Sequence, residues 1–88
     1  MMNIIRSNRF LKDFKNLASK EDQKRIIRTL QLMGQNLNHP SLRIKKIQGT
    51  KSLWEASASM NLRIVFEITR DAIYLYRCGH HDVLKNFS

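Results

Sequence analysis

The apolar positions of this chain change period once, from helical to alternating, and that change divides it into two parts. Met2-Asn3-Ile4-Ile5-Arg6 reads as a short strand, after which Phe10, Leu11, Phe14 and Leu17 recur at helical spacing. Ser7 stands where a helix N-cap belongs, and the stripe leaves Arg9, Lys12 and Lys15 toward water. Ser19 is a second cap, with Glu21 and Asp22 in the first turn where carboxylates suit the helix dipole. Ile26, Ile27, Leu30, Met33 and Leu37 continue the apolar face of this longer helix, and Asn38-His39-Pro40 is predicted to end it.

From Leu42 the period is that of strands. Turn signals at Gln48-Gly49-Thr50, at Met60-Asn61 and around Arg70-Asp71 predict about four strands, with a final short turn or helix after Asp82. The clearest strand is Leu62–Ile68, with Leu62, Ile64, Phe66 and Ile68 on one face and Arg63, Val65, Glu67 and Thr69 on the other. One face should pack on the helices and leave the other available for work. The order predicts one α+β domain over residues 1–88: a short N-terminal strand, then two helices packed on one face of a mostly antiparallel four- to five-stranded sheet.

Charge adds a partner to this picture. The chain has 16 Lys plus Arg against 7 Asp plus Glu, a net +9, and a pI near 10.3. Residues 1–52 carry 12 basic and 3 acidic side chains, whereas residues 53–88 carry 4 and 4, so the excess is confined to the first part. That imbalance points to a polyanion, nucleic acid above all. Cys78 alone allows no internal disulfide, and the N-terminal stretch, with Arg6, Arg9 and Lys12, reads as neither signal peptide nor membrane span. A cytoplasmic location is expected. With no phosphate-binding glycine loop and no Cys/His spacing for zinc, no cofactor and no metal site are expected.

Three stretches, IIRSNRFLKDFKNL, IKKIQGTKSLWEASASMNLRIVFEI and IYLYRCGHHDVL, together resemble the RelE/ParE toxin superfamily. The first is similar to the family's opening strand and helix, the second to its Leu-x-Gly, Leu-Trp-Glu and Arg-Ile-Val-Phe core, the third to its closing Gly-His-x-x-Asp-Val-Tyr. The resemblance implies the toxin of a type II toxin–antitoxin system: a ribosome-dependent messenger-RNA endonuclease that inhibits translation, silenced by a cognate antitoxin. In the RelE branch a C-terminal tyrosine and central lysines take part in cleavage. Here Leu84 replaces that tyrosine, and the strand Leu53-Trp54-Glu55-Ala56-Ser57 has no lysine. His80-His81-Asp82 is closer to the YafQ-like and HigB-like branches, which place histidine and acid groups at the scissile phosphate.

Cleaving RNA without a metal requires a base for the ribose 2′-hydroxyl, a cation for the charge developing on phosphorus, and an acid for the departing 5′-oxygen. Histidine suits both proton steps. His80 and His81 are the candidate acid and base, Asp82 the group that orients or tunes either, and adjacent positions leave open which imidazole faces the substrate. The same cluster also suits an ordinary turn capped by Asp82. Arg63 is the candidate phosphate contact, with an ion pair to Glu55 or Glu67 as its ordinary alternative. Arg43, Lys45, Lys46 and Lys51 form a basic patch for RNA backbone, Arg77 offers a further cation, and Tyr74 and Tyr76 could stack on splayed bases. Trp54 fits the core better than a stacking role. The partners expected are the antitoxin, the ribosome and messenger RNA. Two alternatives share these features: a ParE-like inhibitor of DNA gyrase with no nuclease activity, and a non-catalytic basic RNA-binding protein.

Overall fold

Two serines set the helices. In the computed structural model, which describes residues 3–81, Ser7 leaves strand β1 (Asn3–Arg6) extended, and its hydroxyl accepts from the Phe10 N–H at 3.0 Å to cap α1 (Asn8–Lys15). Ser19 likewise accepts from the Asp22 N–H at 3.0 Å and starts α2 (Lys20–Gln35), with Glu21 and Asp22 in its first turn. The Gln23 amide donates to the Phe14 carbonyl at 3.1 Å, satisfying a group near the end of α1 and coupling the helices. The readings that concern Met2, Asp82 and a turn or helix after Asp82 lie outside the described residues.

Helix α2 stops at Gln35, short of the predicted Asn38-His39-Pro40. The cause is local: Asn36 turns extended and its side-chain oxygen accepts from the Asn38 N–H at 3.0 Å, offering the backbone an alternative to the helix. Pro40 opens a single 3-10 turn, Pro40–Leu42, instead of closing the helix.

The remaining strands are β2 (Lys45–Lys46), β3 (Trp54–Ser57), β4 (Leu62–Ile68) and β5 (Ala72–His80), in the sheet order β1-β5-β4-β3-β2. Among the described residues only the β1–β5 pair is parallel. Phe10, Ile26, Leu30 and Met33 from the helices pack with Ala56, Leu62, Ile64, Phe66, Ile73 and Leu75 from the sheet. Burying each of the larger side chains is worth roughly 1.5–3 kcal/mol.

Three departures from simple periodicity matter. Leu11 and Ile27 lie on the predicted helical stripes yet are 42% and 46% exposed, because the stripes are wider than the surface that covers them. Val65, on the face of β4 expected to stay open, is fully buried by Ile47 and Leu53 from the segments flanking β2 and β3. Ile68, on the core parity, is 42% exposed at the strand's end.

Opposite β4, strand β5 carries a bulge: Val65 pairs with Arg77 and Phe66 with Leu75, so Tyr76 is the extra residue. A bulge shifts the alternation by one. Ile73 and Leu75 point into the core, and beyond the bulge Cys78 does. Because β1 pairs only with residues as far as Leu75, the edge of β5 beyond it is open, and Asp13 of α1 fills the gap. Its carboxylate accepts from Arg77 Nε and Nη2, both at 2.9 Å, and from the Cys78 N–H at 3.2 Å. This clamp fixes the end of β5, on which His80 stands.

Candidate functional site

The start of β4 and the end of β5 run antiparallel, so Arg63 lies opposite Gly79 and Leu62 opposite His80. The turn between β3 and β4 closes beside them, and the His81 N–H donates to the Asn61 carbonyl at 2.9 Å. These contacts gather Met60, Asn61, Arg63, His80 and His81 around an open depression of about 510 Å3. Three of the four candidate catalytic residues, Arg63, His80 and His81, thus share one site; Asp82 lies outside the described residues.

His80 is 51% exposed, and its Nε2 lies 3.1 Å from Oδ2 of Asp22, at the start of α2. The other Asp22 oxygen accepts from Arg25 at 3.1 Å, and its backbone N–H is held by Ser19, so this carboxylate is fixed from three sides. With the proton on Nε2 the ring donates to Asp22 and turns Nδ1 away from it. Asp22 therefore orients His80, a duty that its place as a helix-dipole carboxylate did not reveal.

Arg63 keeps 18% of its side chain exposed and is braced on two sides. Its Nη1 donates to the Ser59 carbonyl, and its Nε lies 3.4 Å from Oε1 of Glu55 without hydrogen-bond alignment. Lys45 Nζ approaches the same oxygen at 3.5 Å. The ion pair with Glu55 is therefore formed, but one carboxylate faces two cations and the cluster remains positive.

A second depression, of about 360 Å3, adjoins the first. Ser41, Arg43, Ser57 and Ser59 contribute to it, and it shares Met60 and Arg63 with the histidine site. Arg43 ends the 3-10 turn in the left-handed conformation, at φ 47°. A larger groove of about 710 Å3 between β1, α1 and α2 has Arg6 as its single charged lining residue, among the described residues, so it is not where the titratable groups converge.

Arg43, Lys45, Lys46 and Lys51 are all exposed. Lys45 and Lys46 form the two-residue edge strand, where lysines also protect an open sheet edge from pairing with other chains. Tyr74 and Tyr76 are 39% and 37% exposed, and the Tyr76 hydroxyl donates to Glu67 at 2.8 Å, which holds its phenol above the usual value. Trp54 packs against the core. Arg77 directs its guanidinium at Asp13, whose hydrogen bonds raise its pKa against the opposing effect of burial. Burial pushes the Cys78 thiol up to about 12, leaving it protonated and inert rather than nucleophilic. Among the described residues no group of three or more His, Cys, Asp or Glu side chains is placed to hold a metal ion, and no helix is long and apolar enough to cross a membrane.

Sequence reasoning missed Asp13, Asp22, Met60 and Asn61. The roles of Asp13, Asp22 and Asn61 arise from contacts between residues far apart in the chain, 58 positions for Asp22 and His80 and 64 for Asp13 and Arg77, which no local spacing signals, whereas Met60 sits at the exposed tip of a local turn.

No family model matches the chain, and no curated protein matches it in sequence. Solved structures do match in fold. The chain is similar to YafQ from E. coli, with a TM-score of 0.80 and 21% identity over 97% of this chain and 99% of that one. It is similar to a chain of the RelB–RelE antitoxin–toxin complex from Methanococcus jannaschii, with a TM-score of 0.77 and 26% identity over 94% and 96%. It is also similar to a chain of the YoeB–YefM complex from Staphylococcus aureus, with a TM-score of 0.74 and 20% identity over 92% and 98%.

Proposed function

The chain has the fold of the RelE/YafQ-like toxin superfamily, and from that premise we propose that it is the cytoplasmic toxin of a type II toxin–antitoxin pair, an endonuclease that cuts messenger RNA on the ribosome and stops translation. The observation that carries the reading is the convergence of His80, His81 and Arg63 on one open depression at the end of the sheet. Two imidazoles and a guanidinium are the complement needed for 2′-hydroxyl attack on phosphorus.

In this mechanism one imidazole takes the 2′-hydroxyl proton as the oxygen attacks phosphorus in line. Arg63 stabilises the charge developing on the phosphoryl oxygens, and the second imidazole, as imidazolium, protonates the departing 5′-oxygen. The products are a 2′,3′-cyclic phosphate and a free 5′-hydroxyl. Asp22 fixes the His80 ring, and Asp82 is the further group proposed to tune the pair. Arg43, Lys45, Lys46 and Lys51 bind RNA backbone, which needs charge and little sequence selectivity. Tyr74 and Tyr76 offer exposed rings on β5, with Tyr76 about 13 Å from His80 at the usual rise along a strand. Arg77 serves the RNA indirectly, by holding the end of β5 through Asp13. The antitoxin is a chain that covers this positive surface and occludes the depression.

Gyrase inhibition is the rival that the same fold admits, and pulse labelling after induced expression separates the two. Incorporation of amino acids into protein should collapse within minutes while thymidine incorporation continues. The reverse order would transfer the proposal to gyrase.

A further inference from the structure

Met60 breaks the chemistry of its own turn. Ser59 and Asn61 are ordinary turn residues, yet between them an apolar side chain is left 84% exposed. The turn that presents it is braced from both sides: the Ala58 N–H donates to the Leu62 carbonyl at 2.8 Å, Arg63 grips the Ser59 carbonyl, and the His81 N–H grips that of Asn61. Met60 is therefore held at a fixed tip, and that tip is the partition between the two depressions, since both are lined by Met60 and Arg63. One compartment offers imidazoles and a guanidinium; the other offers Arg43 with the hydroxyl-bearing Ser41, Ser57 and Ser59.

From this arrangement we propose that Met60 is a wedge between two consecutive nucleotides of single-stranded RNA and sets where the strand is cut. The inference rests on the nuclease reading given above. The thioether is apolar and polarisable and packs well on aromatic faces, and apolar side chains inserted between neighbouring bases unstack them. A strand splayed over Met60 places the scissile phosphate in the histidine compartment, against Arg63. The base on the far side enters the serine compartment, where Ser57 and Arg43 reach its hydrogen-bonding edge. The compartment that performs the chemistry is thereby separate from the one that selects the base.

The experiment maps all cut positions in messenger RNA from a translating extract treated with the parent chain, Met60→Ala, Met60→Leu or Ser57→Ala. Met60→Ala touches a side chain outside the core and should leave thermal unfolding unchanged. It should lower cutting about tenfold and spread the cuts over more sequences, with Met60→Leu restoring the parent pattern. Ser57→Ala should change the base preferred beside the cut with a smaller effect on rate. The inference is overturned if Met60→Ala cuts with the parent's distribution, whether at the parent's rate or uniformly more slowly. If the parent itself makes no cuts, the nuclease reading fails and takes this inference with it.

Discussion

Replacing Asp13 by alanine should destabilise the protein more than any other single change at its charged residues. The carboxylate accepts three hydrogen bonds, two from Arg77 at 2.9 Å and one from the Cys78 N–H at 3.2 Å, with only 11% of the Asp13 side chain and 12% of that of Arg77 exposed. Removing it leaves a guanidinium mostly withdrawn from water and a strand-edge N–H without its partner. Breaking one side of a buried pair costs ~3–5 kcal/mol, and the remaining exposure places this case near ~3 kcal/mol. For a chain of this size that corresponds to a fall in Tm of roughly 12–24 °C. Urea unfolding followed by fluorescence of Trp54, which packs against the core, measures it directly. Asp13→Asn, which keeps an acceptor oxygen but loses the charge, should fall between parent and alanine. A double-mutant cycle with Arg77→Ala should return a coupling above ~1 kcal/mol. A cost for Asp13→Ala below ~1 kcal/mol would refute the claim that this clamp holds the end of β5.

Three further expectations follow from other contacts. The Cys78 thiol keeps its proton up to about 12 when folded and releases it near 9.0 when unfolded, so the folded state is the proton-rich one. Its stabilising contribution is complete below pH 9 and is lost as pH rises toward 12, with a slope of at most ~1.4 kcal/mol per pH unit; alkaline unfolding of Cys78→Ala should show a shallower decline, and an unchanged slope would count against a buried neutral thiol. Ser19→Ala removes the cap of α2 and should cost ~1 kcal/mol in the same urea assay, whereas an unchanged midpoint would mean that packing alone sets the helix start. Exchanging both Lys45 and Lys46 for glutamine should weaken binding to single-stranded RNA and make the slope of log K against log salt shallower by about 1.4, the share of two phosphate contacts; an unchanged slope would leave these lysines as edge protection only.

Local chemistry was legible in the sequence wherever it acts within a few residues. Ser7 and Ser19 cap their helices as read, and Leu62, Ile64 and Phe66 face the core as alternation requires. The end of α2 is not legible at Asn38-His39-Pro40, because Asn36, not Pro40, supplies the competing hydrogen bond. The burial of Val65 is invisible in β4 itself, where nothing announces that Ile47 and Leu53 fold over it. The bulge at Tyr76 was invisible for a similar reason: one extra residue in β5 has meaning only against the register of β4. At the site, residue type singled out His80, His81 and Arg63, and the antiparallel pairing of β4 with β5 brings them together. The groups that hold them, Asp22, Ser59, Asn61 and Asp13, act through backbone atoms or across the whole fold. Residue type carries chemistry into a sequence, but support for that chemistry comes from topology.

The most direct test of the nuclease reading is primer extension on messenger RNA from a translating bacterial extract, with and without the purified chain, and with His80→Ala, His81→Ala and Arg63→Ala beside the parent. The expected result is a set of new 5′ ends that carry hydroxyls, require active translation, and disappear when His80, His81 or Arg63 is replaced. Intact messenger RNA in a fully translating extract would contradict it, as would new ends made equally well by all three variants.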